Sequence, residues 1–140
     1  MDKNEDDARQ RTIQKLRQGM VWYSHEELAQ LVTTAGTHGT EVISHWLRER
    51  RIFCVPGQIV LYPQFQFDAK HLPHPIIKDV LACFTAKEAW AIAAWFFFPN
   101  GWIARVQEGA EVAVPPMQIL DNTEELLNAA RKERDGTHFA

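Results

Sequence analysis

The sequence predicts a mostly α fold: a helix-turn-helix-like N-terminal half with one small β-hairpin, followed by a C-terminal helical half. Three observations carry this. Two S/T-x-x-E patterns, Ser24 with Glu27 and Thr85 with Glu88, have the spacing of capping boxes that open helices. Apolar residues recur at helical spacing through most of the chain. Only one pair of β-prone runs flanks a Pro-Gly turn.

Taken in order, residues 1–20 form a lead-in helix, in which Ile13, Leu16 and Met20 share one face and Arg9, Arg11, Lys15 and Arg17 face solvent. Ser24 caps a helix through Leu28, Leu31 and Val32. The stretch Thr33 to Thr40, rich in Gly and Thr, must turn. Val42, Ile43, Trp46 and Leu47 then define a second helix running to Arg51, so residues 21–72 have the outline of a helix-turn-helix. The runs on either side of Pro56-Gly57 predict a hairpin from Ile52 to Tyr62. Pro63 to Pro75, with Phe65 and Phe67, reads as an ordered connector.

Residues 73–140 form the C-terminal half. Ile76 to Phe84 is a short helix, and Thr85 with Glu88 opens the next, which carries Trp90, Trp95 and Phe96 to Phe98 until Pro99-Asn100-Gly101 stops it. A loop covers Trp102 to Val114. Pro115-Pro116 starts a short helical turn, Asn122 or Thr123 caps the last helix with Leu126, Leu127 and Ala130, and the tail beyond Glu133, with His138, is polar.

Composition narrows function. The chain has 140 residues, 46% of them hydrophobic and 24% charged, which suits one compact globular fold. Its net charge of −3 excludes binding nucleic acid through bulk positive charge, and the acidic excess falls in the C-terminal half. Cys54 and Cys83 have no CxxC spacing and read as small apolar residues in a reducing cytoplasm. The opening MDKNEDDARQ is unlike a signal peptide, and the longest apolar stretch, Ala89 to Pro99, is about half the roughly 20 residues a membrane span requires. The expected location is therefore the cytoplasm, with no membrane contact.

Chemistry of the covalent kind is not signalled. There is no GxSxG, Gly-rich phosphate loop, HExxH or Cys-His signature, and the pairs Glu26-Glu27 and Glu124-Glu125 sit where anions offset a helix dipole. His71 and His74 are the nearest histidine pair, but only Asp68 accompanies them, in a Pro-bounded loop, so no metal and no cofactor is expected. The reading is of a protein that is not an enzyme.

Two surfaces carry the functional expectation. If Val42, Ile43, Trp46 and Leu47 face inward, then Thr40, Glu41, Ser44, His45 and Arg48 face outward, where a recognition helix meets DNA, with Arg50 and Arg51 adding phosphate or base contacts. The bland alternative is a solvated helix end. In the run WAIAAWFFFPNGW most aromatics belong to a core. Successive helical residues point about 100° apart, so at least one of Trp95, Phe96, Phe97 and Phe98 should reach the rim and mark a protein interface.

The run AWAIAAWFFFPNGWI, then VPPMQIL, Asp121 and EELLNAARKE, resembles the toxin-binding domain of the Xre/MbcA/ParS-type antitoxins. Trp95, Pro99 and Asn100 match one element, Pro116 and Leu120 a second, and Ala129, Ala130 and Arg131 a third. Upstream, VISHWLRERRIFCVPGQIVLYPQFQFD is similar to the helix-turn-helix or excisionase-like region that precedes such domains. Where many members carry a Gly-Gly-Arg-like turn, this chain has GWIARVQEGAEVAV. The resemblance implies an antitoxin-like homodimeric regulator that binds operator DNA through its N-terminal half and a toxin through its C-terminal half. Trp95, Phe98, Pro99, Asn100, Trp102, Glu124 and Arg131 would then lie at the toxin-facing surface. The alternative is a protein-interaction adaptor without DNA binding.

Overall fold

The computed structural model describes residues 3–136, so His138 and the end of the polar tail lie outside the described residues. Six α-helices run α1 (Lys3–Gly19), α2 (His25–Val32), α3 (Gly39–Arg48), α4 (Pro75–Cys83), α5 (Ala89–Phe97) and α6 (Thr123–Arg134). Four strands, β1 (Trp22–Ser24), β2 (Leu61–Pro63), β3 (Asn100–Gln107) and β4 (Ala110–Val114), form two two-stranded antiparallel sheets, β1–β2 and β3–β4. The fold is thus mixed α/β. This corrects the expectation of a mostly α chain with a distinct helix-turn-helix half.

The two sheets explain the correction. Ile52 to Tyr62 does not form a hairpin: Ile52, Phe53 and Val55 are all buried, so the segment lacks the alternation of a half-exposed strand. Instead Val55 and Leu61 close a loop by two backbone bonds, and Leu61 to Pro63 pairs with Trp22 to Ser24. The second sheet lies where a loop was expected. Glu108 and Gly109 both have positive φ, 52° and 79°, as a tight two-residue hairpin connection requires, and the strands beside them pair Gln107 with Ala110 and Val106 with Glu111. Ile103 and Arg105 on one face and Ala104 and Val106 on the other supply the period of two.

Capping is kept at two predicted starts and lost at a third. Ser24 accepts from the Glu27 amide while the Glu27 carboxylate accepts from the Ser24 amide, a complete capping box. Asn122 caps α6 by accepting from the Glu125 amide. Thr85 caps nothing: the chain turns through the Lys87 to Phe84 bond and α5 begins at Ala89, while the Glu88 carboxylate takes the Arg9 guanidinium of α1 at 2.8 Å.

Two cores fill the molecule. The smaller joins Leu28 and Val32 of α2, Ile43 and Trp46 of α3, and Ile52, Tyr62 and Phe67. The larger gathers α4, α5 and α6 with Ile103 and Val114, and it also takes Leu16 from α1, Met20 just beyond it, and Phe53 and Val55 from the segment after α3. Leu16, Met20, Phe53 and Val55 thus complete the core of the C-terminal half. Gln66 stitches the two together. Fully buried, its side chain accepts from the Phe53 amide at 2.7 Å and donates to the carbonyls of Phe53 and Pro63.

Candidate functional site

The turn that delivers α3 is built by its threonines and glycines. Thr33 donates its hydroxyl to the Ala29 carbonyl and accepts from the Gly39 amide, while Thr34 and Thr37 exchange backbone bonds around Gly36, whose φ of 90° suits glycine. Gly39 permits the close crossing that follows. A Cβ there would lie 1.8 Å from the Ala29 carbonyl oxygen, so α3 can start this near α2 only without a side chain. On its inner face Ile43 and Trp46 are buried, with Trp46 against Phe67 at a centroid distance of 6.0 Å.

The residues expected on the outer face divide into two groups. Thr40, Glu41, His45 and Arg48 are exposed and Ser44 is half-buried, so these five share the solvent side of α3. Arg48 has no ion-pair partner among the described residues. His45 pairs with Glu49 at 3.1 Å. Arg50 and Arg51 are engaged elsewhere. Arg50 ends the helix in the left-handed conformation, φ 55°, and donates to the Leu81 carbonyl of α4. Arg51 lies over the Trp46 ring at 5.8 Å and 3.8 Å from Glu49. Of the arginine cluster read from sequence, Arg48 is the member that presents a guanidinium to solvent from α3 itself.

His25, the first residue of α2, ties three elements together. Its Nδ1 meets the Tyr62 hydroxyl at 3.0 Å and its Nε2 the Thr40 hydroxyl at 3.4 Å, linking the start of α2 to β2 and the first turn of α3. Burial, and then the charge of Cys54, push the Tyr62 hydroxyl up to about 12, so it stays protonated and able to donate at neutral pH. Nothing in local spacing links His25 to residues 15 and 37 positions away.

The residues expected at a partner surface also divide. Trp95 is 8% exposed, edge-on to Phe84 at 5.0 Å and to Phe96 at 5.1 Å, and its buried Nε1 has no hydrogen-bond partner among the described residues. It belongs to the core. Phe96 is fully buried between Phe53 and Phe65. Phe97 and Phe98 are half-buried, and the Phe97 ring occupies the space where Gly19 of α1 would carry a Cβ. Pro99, Glu124 and Arg131 are exposed; Asn100 accepts from the Trp102 amide, and Lys132 lies over the half-buried Trp102 ring.

The histidine loop is built for shape. Asp68 accepts from the amides of Lys70 and Leu72, bonds that hold its carboxyl below the usual range, and the His74 amide bonds to the Gln66 carbonyl. Among the described residues no group of three or more His, Cys, Asp or Glu side chains could hold a metal ion. Among the same residues no helix is long and apolar enough to cross a membrane.

Comparison with known proteins bears on the fold. No protein-family model matches the chain. No curated protein matches it in sequence. The NMR structure of Rv2175c is similar in architecture, with a TM-score of 0.65 over 82% of each chain and 19% sequence identity. At that identity the likeness is one of fold.

Proposed function

We propose that the chain is a DNA-binding regulator that presents α3 to a duplex and takes a protein partner on its C-terminal half. One observation carries the reading. The inner face of α3 is locked onto α2 and Phe67, while Glu41, His45 and Arg48 are exposed on the opposite face, flanked by Thr40, whose hydroxyl meets His25, and by the half-buried Ser44. A polar helix face held rigidly on a packed base is the geometry that groove reading requires. Pro99, Glu124 and Arg131 supply the exposed surface for the partner, and the resemblance to Xre/MbcA/ParS-type antitoxins supports a toxin as that partner.

A second reading, a protein-interaction adaptor without DNA binding, draws on a specific observation as well. Glu41 and Glu49 offset the charge of Arg48 on this helix, and Arg50 and Arg51 are withdrawn from it. Titrating the full chain into labelled duplexes from its own promoter and of scrambled sequence, over a range of salt, separates the two. The regulator reading expects preference for the promoter duplex and, for Arg48→Ala, a salt slope smaller by about one. Equal, weak binding to every duplex supports the adaptor.

A further inference from the structure

We propose that the outer edge of β4 is a self-association surface, pairing antiparallel with the same strand of a second copy about a two-fold axis through Val112. Among the described residues the β3–β4 sheet has two strands. Helix α6 packs on β3, and Arg105 of β3 is held by Glu125 of α6 at 2.8 Å. The edge of β4 has no such cover: among the described residues no backbone bond beyond the hairpin and no side-chain bond reaches Ala110 to Val114.

An uncovered edge strand is a template for pairing, and proteins that keep one bare protect it with Lys, Pro, bulges or inward charges. β4 reads Ala110-Glu111-Val112-Ala113-Val114, with one charge and no proline, and the one register irregularity of the sheet lies at its far end, near Asn100. The strand is instead self-complementary. Placed on the axis, Val112 meets Val112 of the second copy, and Glu111 lies opposite Ala113, so the two carboxylates are a diagonal apart. Pairing through β3 would set Arg105 against Arg105 if centred on that residue. Val112, 38% exposed, lies opposite Arg105 in the hairpin and two residues before the buried Val114 on the same face, so a second strand would cover its exposed methyl groups. The occupant that fits is another copy of this chain.

Sedimentation of the full chain tests this, with a doubling of the 16.1 kDa mass as the expected result. Val112→Lys sets two cations face to face on the axis and is expected to return the chain to a monomer with an unchanged circular dichroism spectrum. Val112→Cys provides the second test. Residues opposite each other in an antiparallel pair have Cα atoms about 4.5–5.5 Å apart, within disulfide range. Mild oxidation should therefore link Val112→Cys chains, above the background of the native chain with its half-buried Cys54 and Cys83. Val106→Cys, at a more exposed site (76%) off the axis, should not link. A monomer at a concentration on the order of 100 µM, a dimer indifferent to Val112→Lys, or equal linking at both cysteines would overturn the proposal. A monomer that still prefers its promoter duplex would leave the regulator reading standing, so the two can fail separately.

Discussion

The α2–α3 unit and the aromatic unit of α4, α5 and α6 are held by different means. In the first, a small core is supplemented by directional contacts: the Ser24–Glu27 capping box, the His25 link to Tyr62 and Thr40, the Thr33 bonds across the turn, and Arg51 over Trp46. In the second, ring packing around Phe96 is enough that the buried Trp95 Nε1 goes without a hydrogen bond. The difference teaches where orientation matters. A helix that must offer a defined face is fixed by bonds with direction, whereas a scaffold needs volume filled.

Substitutions can break this contrast. The largest effect is expected from Phe96→Ala, which empties the centre of the aromatic unit and should cost about 3–5 kcal/mol in urea unfolding. A loss below about 1 kcal/mol would mean that ring packing is not what holds that unit. Gly39→Ala adds one methyl group but forces it into the Ala29 carbonyl, with an expected cost of about 1–3 kcal/mol and a displaced α3. Its sharper readout is duplex affinity, which should fall further than for Phe96→Ala at matched folded fraction. Ser24→Ala removes the capping box and should cost about 0.5–2 kcal/mol, read as a shift in the urea midpoint.

The smallest effect lies outside both cores and depends on pH. The amides of Leu72 and Lys70 hold the Asp68 carboxyl below its ordinary value of 3.8. Its contribution is therefore complete above that ordinary value and is lost as pH falls through the lower, folded one. Protection of the Lys70 and Leu72 amides from exchange, taken against the intrinsic rate at each pH, should fall on acidification across that window, and Asp68→Asn should flatten the response. An unchanged pH profile in the variant would show that the Asp68 carboxylate does not hold this loop.

Much of the helical framework was legible because its signals are local. Ser24 with Glu27, the Thr33 to Thr40 turn, Pro99-Asn100-Gly101 and Asn122 each act within a few residues. The sheets were not, and for a physical reason: β1 and β2 are three residues each and meet across a separation that no local pattern encodes. The β3–β4 hairpin did leave a trace, in Glu108-Gly109 between alternating residues, but Trp102 to Val114 carries too few large apolar residues to stand out. At the candidate site, helical periodicity placed Thr40, Glu41, His45 and Arg48 on one face. It could not show that Arg50 reaches Leu81 or that Arg51 lies over Trp46, since both fates depend on the left-handed turn at the end of α3 and on what lies beyond it.

Gln66 has a consequence for how the molecule comes apart. Its side chain bonds both ends of the Phe53 backbone, and Phe53 is a wall of the larger core while Ile52 beside it is a wall of the smaller. Heat that loosens one core therefore withdraws a wall from the other, and the chain should melt in a single cooperative step. Scissors at residue 72 would not release a ready-made module. The fragment downstream would lack Leu16, Met20, Phe53 and Val55 and would bare the floor they cover.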